Sequence, residues 1–459
     1  MRNRLQFSLA SGLLLVVLLA PAWGQQDGTA TSAPSTSAPP GQLSTSSDQI
    51  EDNAGAEKID PDTRPLSGAE YLSLGMPEGE KNVLNSSIRV DERLDSNPRA
   101  AAGTGYTWRG DSDVFGQLSL NRSWKRNSFT AQYDGGGLFY AGQDPRSTHF
   151  VSLEQMLSWR RWTLTLSDEM IYAPESPFGM PGPQYISILG IVIPFRPNQS
   201  ILTNQTTRIS NTSIGQAEYA LSRRTSVTAT ASYGLLDYTA AGAVNSSLVN
   251  GMLGYNYSLA PHDTIAISYG YDQISFGINN SKTDIQTANL SYAHQVTGRM
   301  SAQIMGGAQL ARIFSQATPA KNSIYPTGHA KLIYAWPRTK LAFSVSKSLM
   351  SGAGVFVVTD STIAEITLSR ALSRRLNASV AGGFADNSPL GGVSRQYRSG
   401  FASFGLERNI GRHAGLHFTY NFQRQVGNSI CTGPVCAGPF LRQAIAAGFD
   451  WRFSPVVFH

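Results

Sequence analysis

From about residue 99 onward, side chains alternate between apolar and polar, and this alternation restricts the fold more than any other feature of the chain. The segment "TSVTATASYGLL" places Val227, Ala229, Ala231, Tyr233 and Leu235 on one face, and small hydroxyl side chains on the other. The segment "AGLHFTYNF", residues 414–422, repeats the pattern with aromatic residues. Long runs with a period of two and no helical period predict β-strands. These strands would exceed the five or six residues usual in globular proteins.

Short basic segments separate the alternating runs at a nearly constant spacing. They read "SWKR", "SWRR" and, twice, "LSRR", and the basic residues recur near positions 126, 161, 224, 262, 299, 338, 374 and 412. All intervals but one are close to 37 residues, and the exception is the interval of 63 residues from 161 to 224. Each ordinary interval holds two long strands and one basic turn, which favours an up-and-down barrel. The competing repeat is a β-propeller, whose blades contain four short strands.

Aromatic and polar residues take different positions along and across these strands. Tryptophan lies beside the basic turns, at Trp124, Trp159, Trp162 and Trp336, as an interfacial aromatic belt requires. A second group approaches the opposite strand ends, at Tyr140, Tyr172, Tyr238 and Tyr271. The face opposite the apolar one carries Gln117, Ser119, Asn121, Glu154, Glu218, Asn256, Glu365, Thr419 and Asp450. That face is too polar for a dry core, so we expect a membrane-spanning barrel and not a soluble sandwich.

The N-terminal part of the chain differs in composition from the rest. Residues 1–24 combine Arg2 and Arg4 with a short apolar run and the small residues of "AWG", a pattern typical of a cleaved signal peptide. Residues 25–98 are first rich in Ser, Thr and Pro and then acidic, and such composition predicts a disordered periplasmic segment. The barrel is expected over residues 99–459, where basic residues outnumber acidic ones. The predicted organisation is therefore export signal, disordered segment and barrel.

The eight basic turns also give a strand count. They join sixteen strands in pairs, and further strands over about 99–109 and 440–453 bring the number to eighteen. Sixteen strands remains the alternative if a weak segment is not a strand. An even count places both ends of the barrel at the short turns. Sixteen to eighteen strands enclose a lumen wide enough for an aqueous channel.

The C-terminal segment "GFDWRF" alternates Phe449, Trp451 and Phe453. With this ending, the chain resembles Gram-negative outer-membrane β-barrel proteins of the porin type, at the level of the class and without a specific family motif. The resemblance implies a location in the cell outer membrane and recognition by the barrel-insertion machinery. It also implies contact with outer-membrane lipid and lipopolysaccharide, and it leaves a homo-oligomer open.

The long third loop, residues 173–207, accounts for the interval of 63 residues. It is rich in Pro but otherwise apolar, and loops of this length usually have a function. In porins the third loop typically folds into the lumen and narrows it. The resemblance implies the same here, with Glu175 and Arg196 at the constriction. A surface cap, or an extra hairpin over residues 185–195, is the alternative.

The remaining candidate sites are few. Cys431 and Cys436 lie in one outward loop of an exported protein, so we expect a disulfide between them. No nucleophile triad, phosphate-binding loop or dinucleotide fingerprint occurs in a suitable context, so we expect no enzyme, cofactor, metal site or nucleic-acid partner.

These observations favour a channel for passive diffusion of small polar solutes or ions. The candidate pore-lining residues are Glu154, Glu218, Lys331, Glu365, His417 and Asp450. Their mixed charge does not determine the sign of any charge selectivity. A conduit for exopolysaccharide export and a non-conducting structural or adhesive barrel remain alternatives.

Overall fold

A computed structural model describes residues 65–68, 82–98, 107–140, 144–175, 178, 200–277, 281–315, 318–390, 396–432 and 435–458 of the chain. The predicted signal peptide and most of the predicted disordered segment lie outside these residues. Within the described ranges, no helix is long and apolar enough to cross a membrane.

Twenty-one strands make up the regular structure of the described residues. The first ten are β1 (Val83–Asp95), β2 (Arg109–Ser123), β3 (Asn127–Tyr140), β4 (Arg146–Ser158), β5 (Trp162–Ala173), β6 (Arg208–Ala220), β7 (Thr225–Tyr238), β8 (Ser246–Ala260), β9 (Asp263–Phe276) and β10 (Lys282–Thr297). The next seven are β11 (Met300–Ser315), β12 (Thr318–Trp336), β13 (Thr339–Gly352), β14 (Phe356–Ser373), β15 (Leu376–Pro389), β16 (Tyr397–Asn409) and β17 (Ala414–Val426). The last four are β18 (Ile430–Thr432), β19 (Val435–Ala437), β20 (Phe440–Arg452) and β21 (Val456–Val457).

Eighteen of these strands form a closed antiparallel barrel. From β1 to β17 each strand pairs with the next, β17 pairs with β20, and β20 pairs back onto β1. The short strand β21 continues the seam by pairing Val457 with Val83, and β18 and β19 form a separate hairpin. The predicted all-β up-and-down barrel is confirmed, with eighteen strands and not sixteen.

The first strand lies earlier in the chain than the sequence predicted. It is Val83–Asp95, inside the segment assigned as disordered, and not residues 99–109, of which 99–106 lie outside the described residues. The prediction failed because the inward positions of β1 are charged, at Arg89, Asp91, Arg93 and Asp95. They therefore look like part of an acidic linker. The outward positions Ile88, Val90 and Leu94 keep the apolar half of the alternation.

The two faces of the barrel have opposite character. The outward face carries apolar side chains that are at least 60% exposed, such as Leu253, Ile267, Leu290 and Ile304. Trp124, Trp159, Trp162 and Trp336 are also exposed, next to the short turns. The inward face carries buried Ser, Thr, Asn and Gln. A closed barrel with an apolar outer band and aromatic residues at its edge is the architecture of a protein that spans the outer membrane.

The two ends of the barrel differ in their connections. One end, called here the turn end, holds the eight basic turns and both the start of β1 and the end of β20. The other end, called here the mouth, holds the longer connections, among them residues 174–207 and the β18–β19 hairpin. This arrangement matches short periplasmic turns and longer extracellular loops.

Candidate functional site

The lumen is lined by charged as well as neutral polar residues. The inward carboxylates of the strands are Asp91, Asp95, Asp111, Asp113, Asp134, Glu154, Glu169, Glu218, Asp272, Glu365, Glu407 and Asp450. The inward arginines and lysines with described side chains are Arg89, Arg93, Arg109, Arg146, Arg208, Lys331, Lys340, Arg442 and Arg452. Acidic residues are thus in excess on the inward face, although the barrel sequence as a whole is basic. The surplus basic residues lie in the short turns.

All six candidate pore-lining residues occupy inward positions. The register places Glu154, Glu218, Lys331 and Glu365 on four separate strands, so they do not form one site. His417 and Asp450, in contrast, come together: the His417 Nδ1 lies 3.9 Å from an Asp450 carboxylate oxygen. Their roles in lining a pore remain predictions.

A charged network surrounds His417 near the turn end. Its Nε2 atom contacts the carboxylate of Asp91, and Asp91 pairs with Arg89 at 2.9 Å. On the other side, Arg452 pairs with Asp450 at 3.1 Å and with Glu407 at 2.6 Å. The network therefore joins β1, β16, β17 and β20 across the seam that closes the barrel.

A second network lies on the same side of the lumen, close to the mouth. Arg442 of β20 pairs with Asp95 of β1 and with Glu175, each at 2.5 Å, and all three side chains are at least 95% buried. Glu175 follows β5 by two residues, so this pair fixes the start of the long loop to β1 and β20, strands that do not adjoin β5. The predicted constriction residue Glu175 is thus placed in the lumen, whereas Arg196 lies outside the described residues.

The second network contains more carboxylates than arginines. Arg93 pairs with Asp113 at 3.3 Å and lies 3.8 Å from Asp111. The Asp111 carboxylate is 2% exposed, and neither of its oxygens accepts a hydrogen bond from the described residues. Arg93 and Arg442 thus face four carboxylates, those of Asp111 and Asp113 and those of Asp95 and Glu175.

Sequence analysis missed most of this network, because β1 was placed too late in the chain. The available signal was "IRVDERLD", where apolar Ile88, Val90 and Leu94 alternate with four charged inward residues. Because the surrounding segment is acidic, the sequence analysis predicted it to be disordered in spite of this alternation. The pairing of Arg442 with Asp95 joins residues 347 positions apart, and no local pattern encodes it.

Both described ends of the long loop lie inside the barrel. Phe178 packs edge-on against the inward ring of Phe401 at 5.0 Å, and its carbonyl accepts a hydrogen bond of 2.7 Å from Gln423. At the other end, the Leu202 backbone exchanges two hydrogen bonds of 2.7 Å with the side chain of Gln425. Because the loop leaves β5 and returns to β6, these contacts with β16 and β17 show that both ends reach the far wall. The described parts of the loop therefore narrow the mouth.

The hairpin between β13 and β14 also bends over the mouth. Its tip turns at Ala353 and Gly354, both with positive φ, and the carbonyl of Ala353 accepts a hydrogen bond of 2.7 Å from Tyr238. Tyr238 is only 3% exposed. Tyr238 therefore points into the lumen. The expectation that it belongs to the outer aromatic belt is wrong. The parity of β7 explains the correction, because Leu235 is outward and position 238 falls on the opposite face.

The β18–β19 hairpin completes the cover over the described part of the mouth. Thr203 of the long loop forms a β-bridge with Ala437, and the Asn204 N–H donates to the carbonyl of Cys436 at 2.8 Å. Cys436 is disulfide-bonded, and Cys431 lies opposite it in the hairpin register. Two buried apolar clusters surround these contacts. The first consists of Ile201, Leu236, Tyr238, Ala353, Val355, Tyr397, Val435 and Ala437. The second consists of Phe178, Leu202, Met350, Ile363, Ala385, Phe401 and Phe440.

A short piece of the N-terminal segment lies in the other half of the lumen. Residues 65–68 form a turn closed by a hydrogen bond of 3.0 Å from the Gly68 N–H to the Pro65 carbonyl. The Ser67 N–H donates to the Asn256 side chain at 2.8 Å, and the Ser67 hydroxyl lies 2.6 Å from that of Thr228. Both partners are inward residues of β7 and β8 near the turn end. No local pattern in the chain predicts this contact.

Asp168 is an acidic residue in the middle of a strand on the outward face. Asp168 of β5 accepts hydrogen bonds from Asn211, at 3.2 Å, and from Ser213, both outward residues of β6. The register of β5 is regular on both sides of Asp168, so no bulge turns it away from the membrane. Within the described residues, no group of three or more His, Cys, Asp or Glu could hold a metal ion.

Comparisons with known proteins give only distant matches. No family model matches the chain, and no curated protein matches it. Among solved structures, OpdK from Pseudomonas aeruginosa is 9% identical with a TM-score of 0.41, and the match covers 81% of this chain and 99% of that one. OccK2 (OpdF) from the same organism, in complex with glucuronate, is 10% identical over 82% and 100%, with a TM-score of 0.43. OccAB2 from Acinetobacter baumannii is 10% identical over 81% and 98%, with a TM-score of 0.41. Similarities of this size establish neither a family nor a substrate for this chain.

Proposed function

We propose that this protein is an outer-membrane channel for passive diffusion of small polar solutes or ions. The observation that carries the proposal is the polar, charged inner wall of a closed barrel of eighteen strands, with both described ends of the long loop inside it. A barrel of this size has room for water inside. A buried wall of this polarity is stabilised when it faces water, because unsolvated polar groups are costly.

The charge distribution of the lumen favours cations over anions. Carboxylates outnumber arginines and lysines among the inward residues with described side chains, and three of them, Asp95, Asp111 and Asp113, lie together near the mouth. A ring or arc of carboxylates at a narrow point attracts cations and repels anions. Because Glu175 belongs to the same network, the acidic arc lies where the long loop enters the lumen.

Planar-bilayer recordings of the purified protein test both statements. We expect stepwise conductance in potassium chloride, and a reversal potential across a salt gradient with the sign of a cation-preferring pore. The double variant Asp111→Asn with Asp113→Asn should move the reversal potential toward zero, because two carboxylates are removed at constant shape. An anion-preferring wild-type pore would contradict the charge argument while leaving the channel intact.

Glu92→Gln is the matched control for that variant. Glu92 lies on β1 between Asp91 and Arg93, but it faces outward and accepts hydrogen bonds from Ser112. Glu92→Gln removes one negative charge from the opposite face of the same strand pair, β1 and β2. We expect the Glu92→Gln pore to keep the wild-type reversal potential.

Removal of residues 179–195 tests the role of the long loop in the same recordings. The deletion keeps the described anchors Phe178 and Leu202, and we expect it to raise single-channel conductance, because less chain occupies the mouth. Unchanged conductance would mean that this part of the loop does not restrict the pore.

The same bilayer recordings also test the alternative functions. Absence of conductance steps in every preparation would favour a non-conducting structural or adhesive barrel, and passage of long polysaccharide would favour an export conduit. Contact with lipopolysaccharide and assembly by the barrel-insertion machinery remain predictions. So does a homo-oligomer, for which the outward group of Asp168, Asn211 and Ser213 is the candidate contact because polar groups in lipid need partners.

A further inference from the structure

Apart from Asn82, which adjoins β1, the turn at residues 65–68 is the described part of the chain before the barrel, and it lies inside the lumen. Its contacts are with the inward faces of β7 and β8, through Thr228 and Asn256. Ser67 itself is 3% exposed. A segment that precedes the barrel has therefore entered the barrel and become buried there.

The wall of the lumen is shaped to receive this turn. A Cβ atom added at Gly254, an inward position of β8, would collide with the Ser67 side chain, and one added at Gly68 would collide with the Gln216 amide of β6. Glycine at both positions thus allows the turn and the wall to approach closely. Three neighbouring strands contribute to the contact, through Gln216 and the partners of Ser67 on β7 and β8.

We propose that the inner wall of β6–β8 is a docking site for the chain's own residues 65–68, and that the docked turn partly occludes the pore near the turn end. The occupant is set by the structure, since the hydrogen bonds of Ser67 already join it to Asn256 and Thr228. The effect on transport rests on the proposed channel function.

The nature of the contact makes the occlusion reversible. The turn is held by a few hydrogen bonds, and each contributes only about 0.5–1.5 kcal/mol net. The apolar side chains of the turn are those of Pro65 and Leu66, and both are only half-buried. Removal of the turn would leave Asn256 and Thr228 facing water in an open pore, where they can be solvated, so the vacated wall carries little penalty.

Two single substitutions in the full-length protein test the proposal from opposite sides. Gly254→Ala places a methyl group where Ser67 now lies, and Ser67→Pro removes the N–H that Asn256 accepts together with the hydroxyl that contacts Thr228. We expect each to raise single-channel conductance in planar bilayers, by about twofold for a lumen of eighteen strands. If Gly254→Ala prevents folding of the barrel, Ser67→Pro still tests the proposal, because residue 67 is outside the strands.

Gly270→Ala is the matched control. Gly270 lies on the neighbouring strand β9, also facing inward, and an added Cβ would meet only ordinary contacts at 3.7 Å or more. We expect wild-type conductance from this variant. Wild-type conductance from both Gly254→Ala and Ser67→Pro would overturn the occlusion, while leaving the channel itself established.

A chemical readout separates this proposal from the channel function. Thr228→Cys places a thiol beneath the turn, and a water-soluble maleimide should label it several-fold faster when Ser67→Pro is also present. Equal labelling rates with and without Ser67→Pro would overturn the docking even in a protein that conducts nothing. Faster labelling in a barrel that never conducts would support the docking and contradict the channel.

Discussion

The two ends of the lumen are narrowed in different ways. At the mouth, the long loop, the β13–β14 hairpin and the β18–β19 hairpin pack together through apolar clusters and a buried triad of charges. Near the turn end, the four-residue turn around Ser67 is held by polar contacts to one wall. The segments over the mouth therefore belong to the folded core, whereas the turn can dissociate from the barrel wall.

Rough energies explain this difference. Full burial of a large apolar side chain contributes about 1.5–3 kcal/mol, and the mouth buries several, among them Phe401, Tyr397 and Leu236. A net hydrogen bond contributes about 0.5–1.5 kcal/mol. Substitutions at the mouth should therefore alter the stability of the barrel, and substitutions at the turn should alter mainly the pore.

Arg442→Met should have the largest effect on stability. It removes the cation that pairs with both Glu175 and Asp95 in the described part of the chain, and breaking a buried ion pair on one side typically costs about 3–5 kcal/mol. The measurement is urea unfolding of the barrel in liposomes. Arg452→Met, on the same strand and face but with a side chain 24% exposed, should lose clearly less. Equal losses would mean that the mouth is no more tightly held than the turn end.

Phe401→Ala should have the next largest effect. The ring packs against Phe178 and belongs to one buried apolar cluster, and large-to-small substitution of a buried Phe costs about 3–5 kcal/mol. We expect the lower part of this range, since the polar lumen allows water to fill the cavity. Phe404→Ala, three residues along β16 on the outward face, is the control and should lose less. The loop end should also loosen, so conductance fluctuations in the recordings should increase only for Phe401→Ala.

Ser67→Ala should have the smallest effect. It removes one hydroxyl contact with Thr228 and keeps the N–H bond to Asn256, so the docked state should weaken by about 1 kcal/mol. The barrel should unfold at the wild-type urea concentration, while single-channel conductance rises part of the way toward that of Ser67→Pro. Ser226→Ala, which loses a contact with Asn256 but none with the turn, is the matched control. A drop in barrel stability for Ser67→Ala would show that the turn belongs to the core.

The strand count was predictable because each basic turn marks one hairpin, whatever the residues between them. Local patterns also gave the inward position of Glu154, Glu218, Lys331, Glu365, His417 and Asp450, since parity along a strand fixes the face. The start of the barrel was not recovered, because charged inward residues on β1 look like linker. The expected face of Tyr238 rested on its distance from the turn, and that distance indicated the wrong face. Parity along β7 would have indicated the inward face.

The contacts inside the lumen were beyond local pattern. Phe178, Leu202 and Ser67 reach walls that are distant in sequence, and their positions depend on the closed barrel as a whole. Periodicity describes a strand and its neighbours, but a loop that returns into the lumen has no period. The expectation that the long loop narrows the pore came from resemblance to porins, and not from its residues.

The ion pair between Arg442 and Asp95 also bears on the order of events in assembly. Asp95 belongs to the first strand and Arg442 to the last, 347 residues later. During synthesis the carboxylate is made long before its partner exists, and it stays in water until the final strand arrives. The seam between β1 and β20 is thus the step at which the buried charges are neutralised. A chain truncated before Arg442 would leave Asp95 and Glu175 without this partner at the open edge of the barrel.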